Sequence, residues 1–106
     1  MHYQKSIRDI VETIKREYAP EKIILFGSSV SGKVTEDSDI DMLIVKETEQ
    51  DYGQRWLEVG RLVRHLHKPL PFEPFILTPQ ELRCELERNL FVQEIISKGK
   101  VLYEKN

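Results

Sequence analysis

Apolar positions near the start of the chain fall on one side of a helix. Ile7, Ile10, Val11, Ile14 and Tyr18 recur at the i, i+3, i+4, i+7 and i+11 spacing of a single helical face, while Lys5, Arg8, Asp9, Glu12, Lys15 and Arg16 occupy the other. This amphipathic helix is expected to end near Ala19-Pro20, because proline disfavours helical backbone in the residue before it. The pattern then changes. Lys22-Ile23-Ile24-Leu25-Phe26 and Ile40-Asp41-Met42-Leu43-Ile44-Val45 are short apolar runs that read as buried strands. Between them a Gly27-Ser28 turn leads into a short helix over Ser28 to Gly32, with Gly32 as its stop, followed by a polar return from Val34 to Ser38.

Beyond the second strand, Lys46 to Asp51 is polar and reads as solvated. Helical periodicity resumes from Asp51 to His67 through Trp56, Val59, Gly60, Val63 and Leu66, with Gly60 read as permitting close approach to the sheet. Lys68-Pro69-Leu70-Pro71 breaks that helix, and Phe72-Glu73-Pro74-Phe75-Ile76-Leu77 reads as a third strand. Pro74 has no N–H for a ladder, so this strand belongs at an edge or is irregular there. Thr78-Pro79-Gln80-Glu81 is a capping box with proline at the first helical position. Leu82, Leu86, Leu90, Phe91, Ile95 and Ile96 supply the apolar side of the helical region it opens. Ser97-Lys98-Gly99 closes that region, and Lys100 to Tyr103 reads as a last short strand. The order α-β-α-β-α-β-α-β predicts one compact α/β domain over residues 1–106, a small sheet with helices packed on it.

Composition narrows the functions available. Sixteen basic residues against 18 acidic ones leave a net charge of −2, without the basic surplus that a long nucleic-acid partner calls for. Cys84 is the single cysteine, so no internal disulfide is expected. No run approaches the roughly 20 apolar residues of a membrane span, and the first residues lack the apolar core of a secretion signal. A soluble cytoplasmic protein without a membrane partner is the expectation. His65 and His67 lie two apart on a predicted helix and point to different faces, so they are assigned no metal. Trp56, Phe72, Phe75 and Phe91 are candidates either for the core or for a partner-facing surface.

Two local devices carry chemistry. Asp39 and Asp41, separated by one strand residue, project to the same side, and two such carboxylates can share hard divalent cations. Without a cation their charges repel and one tends to keep a proton. At the end of the preceding strand, Gly27 lets a phosphate approach the backbone, Ser28 adds a hydroxyl, and a helix start behind them favours negative charge. Adjacent strand ends would bring both devices into one crevice.

Gly27-Ser28, then ten residues, then Asp39-Ile40-Asp41 resembles the signature of the DNA polymerase beta-like nucleotidyltransferase superfamily, and most of all its minimal nucleotidyltransferase branch. The resemblance runs from the first helix to the final strand and implies a small mixed sheet flanked by helices. It implies that Asp39 and Asp41 bind two Mg²⁺ ions that clamp ATP, while Gly27 and Ser28 hold the terminal phosphates, with Lys33 the nearest cation in place of the arginines many relatives carry. It also implies a third carboxylate in the strand before the Thr-Pro helix start. Glu73 holds that place, where aspartate is usual, and would complete the metal site and assist deprotonation of the acceptor. Minimal nucleotidyltransferases often act beside a helical HEPN protein, as antitoxins that place AMP on a tyrosine of the partner. The resemblance therefore implies a protein adenylyltransferase in a hetero-oligomer or homo-oligomer. The alternative is a weakly active or inactive module that neutralises a helical partner by occlusion.

Overall fold

The computed structural model describes residues 2–31, 39–66 and 71–106. The first helix, α1 (His2–Tyr18), stops where expected, and Ala19 turns the chain out of it with φ 52°. That left-handed backbone is uncommon for a residue with a side chain. The Ala19 N–H bonds back to the Ile14 carbonyl, and Lys46 Nζ donates to the Tyr18 carbonyl at 2.7 Å and the Ala19 carbonyl at 3.4 Å. A cation thus closes the negative end of the helix.

The chain continues as β1 (Lys22–Phe26), α2 (Ser28–Ser31), β2 (Ile40–Val45), α3 (Tyr52–Val63), β3 (Phe72–Leu77), α4 (Pro79–Leu86), α5 (Leu90–Lys98) and β4 (Lys100–Glu104). The four strands form a mixed sheet in the order β3-β2-β1-β4. β1 runs antiparallel to both β2 and β4, whereas β2 and β3 are parallel. Parallel neighbours need a crossover, and α3 provides it. β3 lies at an edge, as Pro74 requires.

Strand alternation divides the core. Ile40, Met42 and Ile44 of β2 turn toward the face covered by α1 and α3, where Ile10, Ile14, Val59 and Val63 are fully buried. Leu43 turns to the opposite face and packs with Ile24, Leu77 and Ile95. Asp39 and Asp41 share the parity of Leu43, so they lie on that second face. α5 covers it only in part.

Three sequence expectations change. The helical region opened by Thr78 is two helices rather than one. Glu87 caps the first, and the Asn89 side chain accepts from the N–H groups of Phe91 and Val92 to start the second. The reset in phase buries Val92 and leaves Leu90 80% and Phe91 54% exposed. In α3 the inward place expected for Trp56 belongs to Arg55, whose guanidinium donates to the carbonyls of Gln50 and Ile76 and to both oxygens of Glu81. Hydrogen bonds to the guanidinium hold the Glu81 carboxyl below its usual range, and the same carboxylate completes the Thr78 capping box. One buried cation therefore ties α3, β3 and α4 together. Gly60 makes no close approach, since a Cβ added there would meet nothing within 4 Å. The predicted break at residues 68–70 falls outside the described residues, among which no helix is long and apolar enough to cross a membrane.

Open space at Gly60 within an intact helix yields a simple expectation. Gly60→Ala stabilises the protein by about 1 kcal/mol, by removing glycine's conformational freedom from the unfolded chain. Urea unfolding of the two proteins measures the difference, and a loss of stability would mean that α3 sits closer to its neighbours than the structure shows.

Candidate active site

The site begins where β1 ends. The antiparallel register sets Phe26 opposite Asp41, so the chain leaves β1 directly beside this carboxylate. Gly27 makes the turn with φ 77°, and a Cβ built on it would stand 2.5 Å from Asp41 Oδ2. The left-handed backbone favours glycine at this position, and a Cβ would also force the Asp41 carboxylate to shift. Val30 N–H then donates to the Gly27 carbonyl as the chain enters α2.

The parallel register sets Asp41 opposite Glu73. Asp39, Asp41 and Glu73 line one open cleft of about 360 Å³ together with Phe26, Tyr52 and Phe75. Asp41 is half-buried and Glu73 exposed. Burial first, then the charges of Asp39 and Glu73, push the Asp41 carboxyl above its usual range. Asp39, at the start of β2, and Glu73, on β3, are thus close enough to oppose the ionisation of Asp41.

Of the sequence candidates, Gly27, Ser28, Asp39, Asp41 and Glu73 come to one end of the sheet, whereas Lys33 lies outside the described residues. Among the described residues, no three His, Cys, Asp or Glu side chains stand ready as a metal cage. Mg²⁺ binds through one or two carboxylates, keeps waters and takes further oxygens from substrate phosphates, so the oxygens of Asp39 and Asp41 are a donor set it accepts. The all-oxygen donor set and the strained ionisation of Asp41 both fit such a cation.

Aromatic walls were not part of the sequence expectation. Tyr52 is held by its hydroxyl, which donates to the Pro74 carbonyl at 3.4 Å, and its ring meets Phe75 edge-on with centroids 6.4 Å apart. Phe75 could have been found from strand alternation, since it shares the parity of Glu73. Tyr52 carries no such signal, because its position depends on how α3 crosses the edge strand.

An open cleft lined by carboxylates, with a glycine turn against one of them, suits the handling of phosphate groups through a divalent cation, as in nucleotidyltransferases. Residues 8–106 match the family described as Polymerase beta, Nucleotidyltransferase, and the chain belongs to that family. A Methanocaldococcus jannaschii protein with the provisional name protein adenylyltransferase is 46% identical over 105 residues, spanning 97% of this chain and 100% of its own. A crystal structure of a provisionally named nucleotidyltransferase from Sulfolobus solfataricus superposes with a TM-score of 0.66 at 22% identity, covering 97% of this chain and 81% of that one. The toxin–antitoxin MntA–HpeT crystal structure contains a chain similar in fold, with a TM-score of 0.64 at 21% identity and coverage of 94% and 73%.

The raised Asp41 ionisation has a consequence for stability. The folded protein holds this proton more tightly than the unfolded chain, so stability falls as pH rises from the ordinary carboxylate range through the raised one. Asp41→Asn is therefore expected to raise the urea midpoint at neutral pH in metal-free buffer, with the gain shrinking as pH is lowered through the raised range and gone below the ordinary carboxylate range. Added Mg²⁺ raises the midpoint of the parent protein and not that of the variant. A gain independent of pH would show that charge is not its origin.

Proposed function

We propose that this chain transfers AMP from ATP to a hydroxyl of a protein partner, with a tyrosine of a HEPN-type helical toxin as the acceptor, and so acts as an antitoxin. The observation that carries the reading is the convergence of Asp39, Asp41 and Glu73 on an open cleft beside Gly27. The provisional name of the 46% identical relative supports protein adenylylation, and the fold shared with a chain of a toxin–antitoxin pair is consistent with the partner role. A cytoplasmic setting, where ATP and Mg²⁺ are abundant, suits the chemistry.

Asp39, Asp41 and Glu73 would hold two Mg²⁺ ions, which supply charge neutralisation for the triphosphate and a lowered pKa for the acceptor hydroxyl. The backbone at Gly27 admits the phosphate tail, the Ser28 hydroxyl donates to it, and Lys33 is assigned to the terminal phosphate. Glu73, exposed at the edge strand, receives the acceptor proton. The acceptor oxygen bonds to the α-phosphorus as the bond to the bridging oxygen breaks, and pyrophosphate leaves. Openness matters here. A tyrosine on another protein has to reach the α-phosphate, and among the described residues Glu73 of the edge strand and Tyr52 of α3 stand at that side of the open cleft.

Incubation of the chain with its helical partner, ATP and Mg²⁺ is expected to add one or more AMP units to the partner, read by intact-mass spectrometry. Asp39→Ala and Asp41→Ala each lower the rate at least ~100-fold, a typical cost of removing electrostatic stabilisation from a transition state. An unmodified partner sinks the proposal. Continued neutralisation of the partner by Asp41→Ala would instead support occlusion.

A further inference from the structure

We infer that Tyr52 is an acceptor inside this chain's own cleft, so that without a partner the protein adenylylates itself there, in cis; this rests on the reading that it transfers AMP from ATP to a tyrosine. The observation that carries it is a juxtaposition. Tyr52 lines the same open cleft as Asp39, Asp41 and Glu73. The chain holds four tyrosines. Tyr18 is buried and Tyr103 half-buried in the core on the opposite face of the sheet, and Tyr3 lies in the first turn of α1, the helix that covers that face.

Local structure explains how Tyr52 comes to the carboxylates. α3 packs on the face of the sheet away from them, yet its first residue reaches round the edge strand. Asp51 fixes that start, since its carboxylate accepts from the Gln54 N–H while the Gln54 side chain accepts from the Asp51 N–H. Such a reciprocal cap sets the angle at which the chain enters the helix. The Tyr52 ring then leans edge-on against Phe75, which packs on the carboxylate face. Its hydroxyl meets the carbonyl of Pro74, the residue after Glu73. Asp41 is the partner of Glu73 on the neighbouring strand, and strands lie about 5 Å apart, so the phenol oxygen stands within about two strand spacings of Asp41.

The hydroxyl is lightly held. Its 3.4 Å bond to Pro74 is long beside the roughly 2.8 Å usual for an O–H donor and an oxygen acceptor, and the residue is 45% exposed. A change of side-chain rotamer carries the hydroxyl from the strand edge toward the cleft and leaves the Pro74 carbonyl to solvent. Burial first, then the Glu73 charge, raise the phenol above its ordinary range, which places Glu73 within electrostatic reach of this hydroxyl. In the transfer, the Tyr52 oxygen bonds to the α-phosphorus as the bond from that phosphorus to the bridging oxygen breaks. Pyrophosphate leaves, and the phenol proton passes to Glu73. A tyrosine already tethered in the cleft needs no encounter with a second protein, which favours it whenever no partner is docked.

Incubation of the chain alone with ATP and Mg²⁺ is expected to add the mass of one AMP, mapped to Tyr52 by tandem mass spectrometry of its peptides. The rate does not depend on protein concentration, and the adduct is lost in Tyr52→Phe. Asp41→Ala mixed with the parent protein stays unmodified, because transfer is within one chain. Binding is read separately from transfer: Mg²⁺ with α,β-methylene-ATP, which cannot release pyrophosphate, shields Tyr52 from nitration by tetranitromethane. An unmodified chain that still transfers AMP to its partner, an adduct on another residue, or labelling of Asp41→Ala by the parent overturns self-transfer and leaves the proposed function standing. Undiminished nitration of Tyr52 in a chain that modifies its partner does the same. Failure to modify either itself or the partner removes the functional reading, and self-transfer with it.

Discussion

The site depends on one close approach, that of the Gly27 backbone to the Asp41 carboxylate. Pairing of Phe26 with Asp41 brings the end of β1 alongside this side chain, and the left-handed turn there favours glycine, whose lack of a Cβ leaves the carboxylate its space. Burial raises the cost of charge on Asp41, and the sheet register adds Asp39 and Glu73 nearby. In the proposed function this turn would admit a phosphate, next to an acidic cluster in need of a counter-charge. On that proposal, binding and local instability share one place in the fold, a frequent relation between active sites and stability.

Much of this arrangement was legible in the sequence because it is local. Apolar runs mark β1, β2 and β3, Pro74 marks an edge, and Thr78-Pro79-Gln80-Glu81 marks the start of α4. Parity within β2 placed Asp39 and Asp41 together, and the resemblance to the family supplied Glu73, which the parallel register sets opposite Asp41. What escaped local reading depends on distant partners. Arg55 looks like a surface arginine until the carbonyls of Gln50 and Ile76 and the Glu81 carboxylate surround it. Trp56 then turns outward because its neighbour has taken the inner position. Asn89 was read through as part of one helix, although its side chain starts α5 and shifts the phase of every apolar residue after it.

That phase shift connects the two ends of the second face. With α5 begun at Asn89, Val92 and Ile95 bury themselves and Phe91 turns toward the cleft, where Phe26 and Phe75 already stand. A continuous helix from Pro79 would carry Phe91 to a different azimuth. The aromatic wall is therefore a product of a capping residue rather than of an apolar pattern, which is why periodicity alone does not reveal it.

The outer edge of β3 carries a consequence for how another protein can be recognised. Pro74 has no N–H to offer, and the outward carbonyls of Pro74 and Ile76 already accept from Tyr52 and Arg55 of α3. This border cannot be extended by a strand from another chain. A protein acceptor of the kind proposed would have to be held at the acidic end through its side chains and surface shape, with no backbone ladder along this border to align it, so that selection between substrates would rest on the few residues that rim the opening.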